Sequence, residues 1–253
     1  MPYSIVVLVK QVPDMNAVKV DRATGTPDLS GQKVISSFDE YAIEAAIQLK
    51  EQYGGEVTVV SAGPPSIKDV ITRVLAMGAD RGVQIAVDNI NQLDTLAVAE
   101  LLADQLRTMT YDIILTGQNS DDYETGQVPP QLAELLGLPQ VSSVTTLEAN
   151  DNRLTLGRDT EDGRQIVEVD TPVLLMTMTG LNEPRYPSLK GIMAAKKKPV
   201  EQMAPDAVEC TDRVLWTEPV VQERPASGII LQDVPPAEAA QQLVAWLREK
   251  KLV

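Results

Sequence analysis

The feature that most restricts the fold is a repeated alternation through the first half of the chain. Short apolar runs rich in β-branched residues are followed, again and again, by stretches with one apolar stripe at helical spacing. Ile5–Val9 is a continuous apolar run and reads as a parallel strand covered on both faces, and Val57–Val60, Val83–Val87 and Ile113–Leu115 read as the strands that follow. Between them, Ser37-Phe38-Asp39-Glu40 has capping-box spacing and opens a helix to about Lys50, which Gly54-Gly55 ends. Ile67, Val70, Ile71, Val74 and Leu75 mark a second helix stopped at Gly78, and Ala99, Leu102, Ala103 and Leu106 mark a third. Val128, Leu132, Leu135 and Leu136 define a fourth, terminated at Gly137. Strands alternating with helices predict an α/β domain with a Rossmann-like parallel sheet and helices on both faces.

The rhythm changes after Pro139. Val144–Leu147, Leu154–Leu156 and Ile166–Val169 are separated by turn residues and predict a small antiparallel addition, before Val173–Met178 returns to a buried strand. Beyond Pro199 the chain is punctuated by prolines and lacks a second core. Helical spacing resumes at 235–250, behind Pro235-Pro236, with Leu243, Trp246 and Leu247 on one face. Residues 1–200 are expected to form the domain. Residues 201–253 are expected to form an extended C-terminal arm and helix that packs on something else, the first hint of a partner subunit.

Composition removes whole classes of chemistry. There is no histidine, so a histidine-based triad, a histidine proton shuttle and histidine-ligated metal are excluded within the chain. The one cysteine, Cys210, rules out an internal disulfide or a cysteine cluster and reads as a structural thiol. With 22 Lys+Arg against 36 Asp+Glu, the formal charge of -14 disfavours nucleic acid as the main partner. The start carries no basic, apolar leader and no run approaches a membrane span, so a cytoplasmic protein without direct membrane insertion is expected.

In open parallel sheets ligands bind beyond the carboxyl ends of the strands. The most informative such segment here is Thr116–Gln127, polar throughout and bounded by Gly117 and Gly126, with a helix expected from about Thr125. A helix N-terminus offers free N–H groups to a phosphate, Gly126 permits close backbone approach, and Thr125 adds a hydroxyl donor. Taken alone, the segment also reads as an ordinary βα loop with an N-cap. Neither G-x-x-x-x-G-K-[ST] nor G-x-G-x-x-G occurs, and Asp121-Asp122 without further ligands reads as a solvated turn, not a metal site. A second constellation, Asn182–Lys198, concentrates lysines in an acidic chain, but Lys190 and Lys196–Lys198 are too few to track a nucleic-acid backbone.

Asn-Glu-Pro-Arg-Tyr-Pro-Ser-Leu-Lys-Gly-Ile-Met-Ala-Ala-Lys-Lys-Lys at 182–198 closely resembles the signature segment of electron-transfer flavoprotein beta subunits. Val9–Asp14, Ser37–Ala46, Leu75–Arg81 and the 117–127 loop agree in the same order, so the resemblance spans residues 1 to about 200. It implies an adenine nucleotide alpha hydrolase-like domain in a heterodimer with an alpha subunit. That partner holds most of an electron-transferring FAD, while the beta subunit binds AMP, or a second FAD in the bifurcating branch.

The positions so implied for cofactor binding are Val9, Ser36, Ser37, Phe38, Asp39, Ala62, Asp121, Asp122, Tyr123, Glu124, Thr125, Gly126 and Gln127. Met15, together with Phe38, falls where the family approaches the alpha-subunit flavin. Tyr186, Leu189, Lys190, Ile192 and Met193 fall in the segment that docks dehydrogenase electron donors, with Leu189 as apolar anchor. The implied function is an electron carrier that accepts electrons from dehydrogenases such as acyl-CoA dehydrogenases and passes them to a quinone oxidoreductase or similar acceptor. The alternative is an FAD-binding subunit of a bifurcating flavoprotein that oxidises NADH. A stand-alone nucleotide sensor of the universal-stress type is disfavoured by the 182–198 segment and the unsupported tail. Departures from the pattern are a shortened 117–127 loop, Tyr123-Glu124 in place of amides, Ala62 in place of a thiol, and Met15 in place of an aromatic. The Thr125-Gly126-Gln127 ending favours AMP.

Overall fold

The computed structural model describes residues 1–204, 214–222 and 228–253; Cys210 lies outside them. In chain order the elements are β1 (Tyr3–Leu8), β2 (Gln11–Pro13), β3 (Lys19–Val20), β4 (Pro27–Asp28), β5 (Lys33–Ile35), α1 (Ser37–Tyr53), β6 (Gly55–Gly63), α2 (Ile67–Met77), β7 (Arg81–Ala86), α3 (Thr95–Leu106), β8 (Ile113–Gly117) and α4 (Val128–Leu136). Then follow β9 (Gln140–Asn150), β10 (Arg153–Thr160), β11 (Gly163–Asp170), β12 (Val173–Thr177), α5 (Leu189–Ala195), β13 (Val200–Met203) and α6 (Pro236–Glu249).

The main sheet has nine strands in the order β11-β10-β9-β12-β8-β1-β6-β7-β13. All pairings from β9 through β13 are parallel, and β9-β10-β11 form the antiparallel extension. The expected fold is therefore present. Its strands have a period of two, and that period builds two cores. Ile5, Val7, Val57, Val59, Ile113, Leu115, Val173 and Leu175 point to one face, where they meet Ile43 and Ile47 of α1 and Ile71 and Val74 of α2. Their neighbours Val6, Leu8, Val60, Val83, Ile114 and Leu174 point to the other, against Leu102 and Leu106 of α3 and Leu132 of α4. Helices on both faces explain why these strands are mainly apolar, with buried polar exceptions such as Thr58 and Gln84.

Several boundaries differ from the sequence expectation. α4 begins at Val128, not near Thr125, because Pro129 and Pro130 occupy the first turn, where their missing N–H groups have no intrahelical partner to lose. The capping box of α1 is not formed. Ser36 is the N-cap, Ser37 hydrogen-bonds Asp121, and Glu40 pairs with Arg73. The sheet also continues past Pro199, since β13 pairs with β7 along Val200–Met203. No helix among the described residues is long and apolar enough to cross a membrane.

Candidate functional site

The carboxyl ends of β1 and β8 are tied to the start of α1 by one buried carboxylate. Asp39 Oδ2 accepts from the Lys10 backbone N–H at 2.7 Å, and Oδ1 accepts from the Gly117 N–H at 3.0 Å. Burial pushes the Asp39 carboxyl up to about 7, against the two N–H bonds, which favour the ionised form. Gly117 is required here, since a Cβ would lie 2.6 Å from that of Phe38. The Ser36 N–H donates to the Lys10 carbonyl at 3.1 Å, and Ser61 Oγ donates to the carbonyl of Val9 at 2.7 Å. Strand ends β1, β6 and β8 and the N-terminus of α1 thus meet at a single point.

The 117–127 loop is fastened over that point by its acidic pair. Asp121 accepts from the Ser37 N–H at 2.7 Å and from Ser37 Oγ at 2.6 Å, so it caps α1 from another element. Asp122 takes the Lys10 ammonium on both oxygens at 2.6 Å. The same ammonium lies 4.5 Å from the centre of the Tyr123 ring. Asp121 and Asp122 are therefore engaged rather than the solvated turn expected, and no group of three or more potential metal ligands occurs among the described residues. Glu124 and Gly126 both have positive φ, 48° and 60°.

The structure brings Val9, Ser36, Ser37, Phe38, Asp39 and the 121–127 loop together. Phe38 is joined through its carbonyl, which accepts from Thr177 Oγ1 of β12 at 3.4 Å. Ala62 lies on β6 one residue beyond Ser61. Tyr123 and Glu124 are exposed and Thr125 half-buried. Gln127 is turned aside, its Oε1 accepting from Thr95 Oγ1 at 3.0 Å. Met15 stands apart, exposed in the turn after β2. Ser36 Oγ and Thr116 Oγ1 are buried without a hydrogen-bond partner among the described residues, an arrangement that costs about 1–3 kcal/mol unless another group satisfies it. Two such hydroxyls at the carboxyl edge of a parallel sheet fit a polar, hydrogen-bonding ligand.

Asp39→Asn tests the architecture. A carboxyl group keeps lone pairs on both oxygens, whereas an amide nitrogen has none and would face an N–H donor, costing about 1–3 kcal/mol. Because the folded-state pKa is raised, Asp39's contribution is fully present below its unfolded value, near 4, and fades as pH rises through 7. The penalty of the variant, followed by thermal unfolding, should accordingly be larger at pH 5 than at pH 8. A pH-independent difference would contradict the assignment.

The second predicted segment is a bracket pinned at both ends. Arg185 forks onto Glu44 of α1 (2.8 and 2.9 Å) and reaches Glu51 at 2.6 Å. At the far end Lys198 Nζ donates to the carbonyls of Leu75 and Ala79, at the C-terminus of α2. Gly191 lies so close to the Ala76 carbonyl that no Cβ fits between them. Between these pins Tyr186, Leu189 and Met193 are 87%, 84% and 73% exposed, with Ile192 and Lys190 beside them. A core role for Leu189 is thereby excluded.

Residues 28–208 match the electron transfer flavoprotein domain. Over 259 residues, 99% of this chain and all of the relative, the chain is 36% identical to the electron transfer flavoprotein subunit beta of Clostridium acetobutylicum. The chain belongs to the electron transfer flavoprotein beta-subunit family. It is also 39% identical over 250 residues to the subunit beta of Syntrophomonas wolfei, covering 98% of this chain and 97% of that one. A third relative is the caffeyl-CoA reductase-Etf complex subunit CarD of Acetobacterium woodii, 37% identical over 199 residues, 78% of this chain and 76% of CarD.

Sequence reasoning missed three residues of this flavoprotein subunit. Lys10 lies within a matched segment, but its ammonium's reach to Asp122 spans 112 positions in sequence. The ion pairs of Arg185 with α1 are as distant. Trp216, whose ring meets that of Tyr123, stands in a stretch without periodicity and gave no local signal.

Proposed function

We propose that the chain is the beta half of a heterodimeric electron carrier and that it holds AMP at the carboxyl edge of its sheet. In this reading it takes electrons from dehydrogenases such as acyl-CoA dehydrogenases and delivers them to a quinone oxidoreductase or similar acceptor. What carries the reading is the coexistence, on a chain of this family, of a buried polar sheet edge with unsatisfied hydroxyls and a separate, rigidly bracketed apolar patch.

Ser36, Phe38, Asp39 and the backbone of 121–127 would hold the nucleotide. Gly126 holds a positive φ of 60° there, with Asn119 Oδ1 packed where a Cβ would lie. Phe38 and Met15 would face the alpha subunit's flavin, which supplies the reversible electron chemistry that no side chain offers. Leu189 would enter a pocket on the electron donor while Lys190 lies on the charged rim, a composition suited to transient docking. The end of the arm would pack on the alpha subunit through α6, which buries none of its residues within this chain.

A second reading gives the chain its own FAD, in a heterodimer that oxidises NADH. It is favoured by the relative named as part of a caffeyl-CoA reductase complex, because a reductase takes up electrons rather than donating them. Releasing the ligands of the purified heterodimer by denaturation separates the two. One FAD and one AMP are expected; two FAD would establish the second reading instead.

Gly126→Val should lower the nucleotide content of the purified heterodimer. A β-branched residue at φ 60° is strained, and its Cβ would lie 2.8 Å from Asn119 Oδ1. Unchanged nucleotide content would show that the 121–127 backbone does not approach the ligand.

A further inference from the structure

The arm does not leave the domain freely after β13. Residues 214–222 return across the carboxyl edge of the sheet and are attached at both ends. Trp216 Nε1 donates to the carbonyl of Leu93, just before α3, at 2.9 Å. Five residues on, the Val221 N–H donates to the carbonyl of Gly25, in the β3–β4 turn, at 2.8 Å. At the first anchor the same indole lies against the Tyr123 ring, with centroids 4.8 Å apart and planes at 45°. Tyr123 in turn lies under the Lys10 ammonium, which is paired with Asp122. Lys10 also gives its N–H to Asp39. A continuous series of contacts therefore runs from the arm, through the 121–127 loop, to the buried carboxylate at the sheet edge.

We propose that residues 214–222 are a strap that retains the adenine nucleotide by pinning the 121–127 loop through Trp216; the inference rests on the reading of that loop as part of the nucleotide site. Among the described residues the strap is held by two hydrogen bonds, the aromatic contact and the packing of Val220 against Gly25, so it belongs to the part of the fold that opens before the core does. With the strap in place, the loop is held by a tilted aromatic contact at Tyr123 and by the ion pair of Asp122 with Lys10. With the strap removed, Tyr123 loses its aromatic partner, and the loop keeps its attachments to Lys10, Ser37 and Thr95. The effect is on the rate of release, since the loop's fastening to the sheet edge is untouched.

The test is nucleotide exchange in the heterodimer with its alpha subunit. Labelled AMP is added in excess and its incorporation followed by rapid gel filtration, with labelled FAD in its place if the released ligands prove to be two flavins. Trp216→Ala is expected to speed exchange about tenfold, the factor that corresponds to about 1.4 kcal/mol. Trp216→Phe keeps the ring contact and should restore most of the retention, and the alpha-subunit flavin should stay bound in both. Val221→Pro removes the N–H at the far anchor without touching the aromatic pair. It should also accelerate exchange, and it supplies the answer if Trp216→Ala does not assemble. Exchange at the wild-type rate in Trp216→Ala, or in Val221→Pro where only that variant assembles, overturns the strap. A wild-type heterodimer that neither holds nor takes up an adenine nucleotide overturns instead the site reading beneath it.

Discussion

Replacing Arg185 with glutamine is expected to destabilise the protein by about 1–3 kcal/mol, the cost of leaving a buried acceptor unsatisfied, since the arginine itself is a third exposed. The reason lies in Glu44, whose side chain is only 4% exposed. Arg185 covers it with two parallel N–H···O bonds, and its backbone N–H adds a third at 3.2 Å. Glutamine cannot fork, and it leaves a desolvated carboxylate without its cation. The second pair, to Glu51, is largely exposed and adds little. Urea unfolding should show the loss as a lower midpoint with an unchanged slope. The double variant Arg185→Gln/Glu44→Gln should recover part of the stability, because no buried charge is then left uncompensated. A loss below about 1 kcal/mol for the single variant would mean that the bracket around 182–198 is not held from this end.

Leu189→Ala should behave in the opposite way. The side chain is 84% exposed, so stability should stay within about 0.5 kcal/mol of wild type. If Leu189 is the docking anchor, electron exchange with a dehydrogenase should fall by tenfold or more, the range for truncating an interface hot spot, while bound flavin is unchanged. Stopped-flow reduction of the heterodimer by a reduced dehydrogenase separates the cases. Loss of flavin would make the residue structural, and an unchanged rate would place docking elsewhere. The two substitutions are four positions apart in sequence, yet one acts on the fold and the other on the encounter.

The sequence disclosed what depends on local periodicity. Val57–Val60 and Ile113–Leu115 were readable as strands because burial on both faces leaves them mainly apolar and β-branched, with Thr58 the one polar residue in either. Ile71 and Val74 were readable as a helix face because they repeat at helical spacing. The paired strands β2–β5 and β3–β4 were not, since two or three residues carry no period. β13 was hidden because Glu201 and Gln202 face solvent on an edge strand. The start of α4 was legible but misread: Pro129-Pro130 are a first-turn signal, and the glycine at 126 drew the boundary too early. At the site, residue types and order indicated which segments matter. That Asp39 joins two strand ends, or that Asp121 caps α1, follows only from contacts between elements far apart in the chain.

Co-expression of this chain with its alpha-type partner, followed by purification and an absorbance spectrum, tests the account most directly. It predicts a yellow one-to-one complex whose flavin is bleached by a reduced dehydrogenase. A colourless preparation in which the two chains separate would contradict it.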